Sequence, residues 1–239
     1  LDLAFANHDA DNVRVLPNNG NGTFPGGISI ATGGATFVVT ADFNGDGKPD
    51  LAVANGTSNT VSVLLGQGNF TFAARVDYAT GSYARWVAAA DFNGDGKPDL
   101  AVANENSNTV SVRLNNGNGT FAAKADYAAG TNPFSLAAAD LNGDGKTDLA
   151  VANYGGDDVS VLLNGGNGIF AAKVDYATGN EPHGVSAADL DGDGKLELVV
   201  VNGYSYVSVF PSNGDGTFGA RVDHAAGANT MAVAVADLN

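Results

Sequence analysis

A β-propeller of five four-stranded blades is the fold class the sequence predicts, and three observations predict it. A carboxylate-rich loop recurs along the 239 residues, its first aspartates being Asp42, Asp91, Asp140, Asp189 and Asp237, with spacings of 49, 49, 49 and 48. Each interval holds four short apolar segments bounded by Gly, Asn and Asp, the pattern of strands joined by tight turns. No segment sustains a 3.6-residue apolar stripe, so an all-β chain is expected. A fixed period of this length, with four strands in each repeat, is that of a propeller blade.

The second unit illustrates the elements in order: 85-RWVAAA-90, 99-DLAVAN-104, 109-TVSVRL-114 and 121-FAAKADYA-128. The run 87-VAAA-90, echoed by 136-LAAA-139, suits the innermost strand, where blades converge on the axis and bulky residues do not fit. The second segment is apolar on both faces because each blade packs between two others. We expect a single domain over 1–239, with blades at 36–84, 85–133, 134–182 and 183–228. A fifth is expected from 229–239 plus 1–35. Residues 1–7, LDLAFAN, match a second strand and 236-ADLN-239 completes a first one, so joining the two ends in one blade removes an exposed sheet edge. A piece of a larger ring and an open array are the alternatives.

Composition narrows function. Eleven basic residues face 26 acidic ones, a net charge of −15 that argues against a nucleic-acid partner. No run approaches 18 apolar residues, so no membrane insertion is expected. Cysteine is absent, which excludes disulfides and leaves packing and metal as sources of stability.

Fifteen of the 26 acidic residues fall in the recurring loops. Counting from Asp42, oxygen donors stand at positions 1, 3, 5 and 9: Asp42, Asn44, Asp46 and Asp50, with Lys48 at position 7 offering its carbonyl while its side chain points away. Gly47 supplies the sharp turn. Alternating hard oxygens around a glycine turn are what a calcium ion takes. The loop departs from an EF-hand because position 12 is Val53 and a strand follows, so Asp50 must close the site. The second loop offers Asp91, Asn93, Asp95, Lys97 and Asp99, and the third Asp140, Asn142, Asp144, Lys146 and Asp148. The fourth offers Asp189, Asp191, Asp193, Lys195 and Glu197, with one carboxylate more. A fifth is split between Asp237, Asn239 and Asp2 and is expected to be weak. About four full Ca²⁺ sites and an incomplete fifth are therefore expected. Magnesium and zinc suit these donors less well.

On these loops the sequence resembles the FG-GAP/VCBS repeat family, which includes integrin α-subunit propellers and fungal propeller lectins. The pattern D-x-[ND]-x-D-G-K-x-[DE]-L stands at four places, and the resemblance covers essentially the whole chain. It implies that each loop joins the first two strands of a blade and binds calcium. The Phe-Gly and Gly-Ala-Pro signatures of the family are not intact; 121-FAAK-124 stands in their place.

No nucleophile elbow or phosphate loop is present, and His8, His183 and His224 have no companion pattern. The chain is expected not to be an enzyme. The repeats diverge at the segment before the first strand (82-SYARW-86, 131-TNPFS-135, 180-NEPHG-184) and after the second. If the calcium loops lie on one face, these segments share the other. Tyr83, Arg85, Trp86, Asn132, Phe134, Tyr154, His183 and Tyr204 are the ligand candidates there, aromatic platforms beside polar groups as in a sugar site. A glycan or cell-surface protein is the expected partner, with the chain a monomer, secreted or displayed on a cell surface. The alternative is a calcium-stabilised scaffold or an amplified or designed repeat protein whose only ligand is the ion.

Overall fold

The structure, a computed structural model, describes every residue except 204, 228, 229 and 237–239. Among the described residues all regular structure is strand. The N-terminal blade pairs Leu3–Asn7 (β1), Asn12–Leu16 (β2) and Ile28–Ala31 (β3). Blade one pairs Ala35–Ala41 (β4), Asp50–Asn55 (β5), Thr60–Leu64 (β6) and Val76–Ala79 (β9), with a small hairpin of Gly66–Gly68 (β7) and Thr71–Phe72 (β8) between its last two strands. Blade two holds Ala84–Ala90 (β10), Asp99–Asn104 (β11), Thr109–Arg113 (β12) and Ala125–Ala128 (β13). Blade three holds Pro133–Ala139 (β14), Asp148–Asn153 (β15), Asp158–Leu162 (β16) and Val174–Ala177 (β17). Blade four holds Pro182–Ala188 (β18), Glu197–Asn202 (β19), Tyr206–Phe210 (β20) and Val222–Ala225 (β21). All neighbours within a blade run antiparallel.

The all-β propeller predicted from the repeat is the fold observed. Residues 230–236, expected to supply the missing strand of the N-terminal blade, carry no strand pairing, and 237–239 lie outside the described residues. Met231 and Ala232 run beside Gly184 of blade four.

Packing explains the two-faced second strands. β5, β11, β15 and β19 are buried along their whole length. Leu51 and Val53 pack toward the N-terminal blade, whereas Ala52 and Ala54 join Val87, Leu100 and Val102 of blade two. The same alternation repeats at the next two interfaces.

A polar chain crosses each of the four full blades within this apolar packing. Asn104 Nδ2 donates to Ser111 Oγ at 2.9 Å, and Ser111 Oγ donates to Asp126 Oδ1 at 2.6 Å. Asn55–Ser62–Asp77, Asn153–Ser160–Asp175 and Asn202–Ser208–Asp223 repeat it. Each amide Nδ2 and each hydroxyl in these chains donates to the next group, which is what lets them be buried. The signal was present in the repeat as Asn, Ser and Asp at fixed places.

Candidate calcium loops and variable rim

The antiparallel register separates two ends of every blade. Ala41 pairs with Asp50 at one end of β4–β5, and Ala35 with Asn55 at the other. The carboxylate loops therefore close one face, and the variable segments meet on the opposite face.

In the first loop the Asp42 carboxylate organises the turn. Its Oδ1 accepts from the Gly45 and Asp46 N–H groups at 2.8 and 3.1 Å, and its Oδ2 from Gly47 at 2.8 Å. Asn44 Oδ1 accepts from Asp46 N–H at 3.0 Å. Gly45 and Gly47 have φ of +74° and +79°, a conformation that any Cβ would strain. Asp91, Asp140 and Asp189 gather their loops in the same way, with Asn93, Asn142 and Asp191 repeating the position-3 contact.

One position behaves differently from the sequence expectation, and another carries contacts the sequence does not show. The position-7 lysine does not point away: Lys48 Nζ lies 2.9 Å from Asp46 Oδ2, and Lys97, Lys146 and Lys195 fold back likewise onto Asp95, Asp144 and Asp193. Two residues apart in a tight turn, each lysine reaches the nearest carboxylate without cost. Hydrogen bonding to these lysines holds the carboxyls of Asp46, Asp144 and Asp193 below the usual range. The position-9 aspartate makes contacts beyond the expected ligand role: it is buried and clasped by backbone N–H groups. Asp99 Oδ2 accepts from Phe92 N–H at 2.9 Å and Oδ1 from Asn115 N–H at 2.7 Å. Asp50 is held by Phe43 and Gly66, and Asp148 by Leu141 and Asn164. Burial pushes all three carboxyls up, against the pull of those N–H groups. Position 9 thus clips the loop to the hairpin between the third and fourth strands.

The donor set fits a calcium ion. Every side-chain donor is a hard oxygen, and Asp189, Asp191 and Glu197 bring one carboxylate oxygen each within 4.8 Å of one another. In the first three loops position 3 is an asparagine. Of the split fifth site, Asp237 and Asn239 lie outside the described residues. Asp2 Oδ1 accepts the Asn18 N–H at 2.9 Å, the contact Asp99 makes with Asn115.

On the opposite rim the structure sorts the ligand candidates into groups. Arg85, Phe134 and His183 occupy one position in successive first strands. The Arg85 guanidinium stands 3.9 Å above the Phe134 ring, and the His183 ring meets Phe134 edge-on at 5.1 Å. Tyr154 packs on both, at 5.8 Å from Phe134 and 5.2 Å from His183. Asn132, with φ of +52°, donates to the Glu105 carbonyl at 3.2 Å. Tyr83 sits apart, with φ of +59° and its hydroxyl 3.4 Å from His8 Nε2. Trp86 turns to the axis, stacked on Phe37 at 3.5 Å beside a cavity of about 480 Å³ that also touches Val87, Ala88 and Ala138. Tyr204 lies outside the described residues.

Sequence reasoning missed Glu105. It follows β11 where Gly56, Tyr154 and Gly203 follow the other second strands, so the rim varies in pairs: Thr36 with Gly56, Arg85 with Glu105, Phe134 with Tyr154, His183 with Gly203. Glu105 Oε2 stands 3.7 Å from Arg85, is buried, and accepts no hydrogen bond among the described residues; His183 Nδ1 is likewise buried without a partner.

One rim carboxylate has no functional reading. Asp158 replaces the threonine found at positions 60 and 109 and accepts from Asn153 Nδ2 at 2.6 Å. Burial raises its carboxyl above the ordinary value. A raised folded-state pKa contributes stability below the unfolded value and loses it as pH rises through the folded one. Asp158→Thr should therefore stabilise the protein near neutrality by roughly 0.5–1 kcal/mol. The gain should shrink toward pH 4, measured as the difference in melting temperature between the two proteins across pH.

Comparison with known proteins places this geometry. A model described as an FG-GAP-like repeat matches residues 1–53, 42–102, 91–151, 140–200 and 189–239. The chain belongs to the FG-GAP-like repeat family. No curated protein matches it significantly. Among solved structures, this FG-GAP-like chain is similar to an Agrocybe aegerita lectin described as recognising non-reducing terminal N-acetylglucosamine. The two are 25% identical with a TM-score of 0.61, over 93% of this chain and 65% of that one. A periplasmic gluconolactonase of Pseudomonas aeruginosa is 20% identical with a TM-score of 0.73, over 96% and 68% of the two chains. A streptogramin B lyase is 13% identical with a TM-score of 0.65, over 94% and 65%. The chain thus spans about two thirds of the length of the structures it matches.

These likenesses correct one expectation. The sequence reading excluded an enzyme because no catalytic motif was found, yet a gluconolactonase and a lyase share this fold. Catalytic groups are recognised by geometry rather than by sequence position, so the lack of a linear motif excludes nothing. At 20% and 13% identity these neighbours show the fold alone and assign no reaction here.

Proposed function

We propose that this chain is a calcium-binding propeller module of a secreted or cell-surface protein that binds carbohydrate at the rim opposite its calcium loops. The observation that carries the reading is the rim around Phe134. There, aromatic faces stand beside two buried polar atoms, Glu105 Oε2 and His183 Nδ1, that make no hydrogen bond among the described residues, Glu105 having only Arg85 at 3.7 Å. A sugar offers both complements, an apolar ring face for the aromatic groups and hydroxyls for the polar atoms. Unmade buried hydrogen bonds cost about 1–3 kcal/mol each, so a ligand that completes them gains that much. The lectin neighbour supports the class of ligand but not the particular sugar. Calcium would be held by Asp42, Asn44, Asp46 and their counterparts. Extracellular calcium lies in the affinity range of such modules, which favours an external setting.

A scaffold with no ligand beyond the ion is the second reading, favoured by the mutual packing of Arg85, Phe134, Tyr154 and His183. Glycan-array binding with and without calcium separates the two. We expect binding to at least one glycan, weakened at least tenfold (about 1.4 kcal/mol) by Phe134→Ala with the fold intact. Absence of binding to any glycan would leave the scaffold.

A further inference from the structure

Three blade interfaces, between blades one and two, two and three, and three and four, are each fastened by one knob and one socket. The knob is the apolar residue at position 2 of a carboxylate loop, and the socket is the hairpin between the third and fourth strands of the next blade. Phe43 enters blade two, meeting Phe121 at 5.5 Å while its carbonyl accepts from Asn115 Nδ2 at 2.9 Å and Gly119 N–H at 3.0 Å. Phe92 enters blade three in the same way, meeting Phe170 at 5.7 Å, with Asn164 Nδ2 and Gly168 N–H on its carbonyl at 2.8 and 2.9 Å. Leu141 packs with Phe218 of blade four. These three knobs are only 1–2% exposed.

Among the described residues one knob is unmatched and the socket of the N-terminal blade is unfilled; the hairpin of blade one, with Phe70 in place of the socket glycine, receives no knob either. Leu190, the knob of blade four, is 47% exposed. The N-terminal blade carries 18-NNGNGTF-24, the letters of the socket 115-NNGNGTF-121. Half of the socket contacts are already in place: Asn18 N–H donates to Asp2 at 2.9 Å and Asn18 Nδ2 to the Leu1 carbonyl at 2.9 Å, as Asn115 does to Asp99 and Pro98. A Cβ on Gly119, Gly168 or Gly216 would strike a leucine of the preceding blade, whereas Gly22 faces open space. The flanking sheet face is uncovered as well. Leu3 and Phe5 are 49% and 40% exposed, whereas Leu51 and Val53, at the same places in blade one, are 3% and 0% exposed.

We propose that these two faces form an interface between copies of this chain, Leu190 of one copy entering the Asn18–Gly22–Phe24 socket of the next. The contact continues the blade-to-blade interface already used inside the molecule. It is heterologous, joining different surfaces of the two copies, so it builds head-to-tail assemblies. A second copy fits as the occupant, because it presents both the knob and the carbonyl that Asn18 and Gly22 are arranged to receive, while Leu190 of the single copy stays exposed.

The chain has no cysteine, so introduced pairs report cleanly. Sedimentation velocity in calcium buffer should show a mass that rises with concentration, and Leu190→Ser should abolish the rise while leaving the melting temperature of the dilute, single-copy protein unchanged, since Leu190 is exposed there. A Gly22→Cys/Leu190→Cys variant should give a ladder of disulfide-linked multimers on oxidation. A wild-type chain that stays monomeric at every concentration overturns the proposal. So does a disulfide that forms within one copy, which would mean that the chain closes on itself.

Discussion

Removing calcium should lower the melting temperature of this protein by roughly 10 °C or more. Each ion bound only by the folded state contributes about 1.4 kcal/mol at a free concentration ten times its Kd and about 2.7 kcal/mol at a hundred times. Four loops acting together would then supply 5 kcal/mol or more, against a total stability of about 5–15 kcal/mol for an ordinary domain. At 2–4 °C per kcal/mol for a chain of this size, the shift is large. The charge distribution points the same way, since fifteen of the 26 acidic residues are gathered in the loops. The lysines at position 7 offset only one carboxylate in each loop. Differential scanning calorimetry in calcium and in EDTA measures the effect. A melt that does not move on chelation would falsify calcium as a stabilising ligand.

Asp99→Ala should destabilise the protein by roughly 3–5 kcal/mol, and the loss should persist in EDTA. The Asp99 carboxylate is fully buried and accepts the Phe92 and Asn115 N–H groups, so its removal leaves two buried donors without acceptors, at about 1–3 kcal/mol each. Asn115 in turn holds the Phe43 carbonyl of the preceding blade. The damage should therefore spread across the blade interface. Asp46→Ala provides the contrast. Its carboxylate is largely exposed and bonded only within its own loop, so that variant should lose calcium-dependent stability while melting like wild type in EDTA. Melting curves for both variants in both buffers decide the matter. If Asp99→Ala costs nothing once calcium is removed, the position-9 carboxylate is a ligand alone and the clip described above has no energetic weight.

The two variants expose what one-dimensional reading could not separate. In the sequence, Asp42, Asp46 and Asp50 are equivalent carboxylates at alternating places around a glycine turn. Only the folded chain shows that Asp50 lies at the start of a strand buried along its whole length, with N–H groups from two separate segments aimed at it. Glu105 was missed for a related reason. It is an unremarkable turn residue until the antiparallel register sets its blade end beside Arg85.

Trp86 shows the limit in the other direction. It stands beside Arg85 in sequence and is expected on the same platform, but Arg85 is the unpaired residue of a β-bulge between Ala84 and Trp86, which aims the two side chains differently. Arg85 reaches the Phe134 ring on the rim, and Trp86 stacks on Phe37 beside the axial cavity.

The repeat by itself determined the architecture: a 49-residue period with four strand-length apolar segments leaves a chain little choice but stacked antiparallel blades. It also placed the candidate donors at positions 1, 3 and 5 of each loop, which lie within one turn, whereas position 9 is held by N–H groups from more distant parts of the chain. The tertiary structure decided everything that joins residues far apart in the chain. It grouped Arg85, Phe134, Tyr154 and His183 on one rim, sent Trp86 to the axis, and left Leu190 and the Asn18 socket unmatched. Local spacing encodes a turn and its ligands, whereas contacts between blades depend on strand register and on which face each side chain takes.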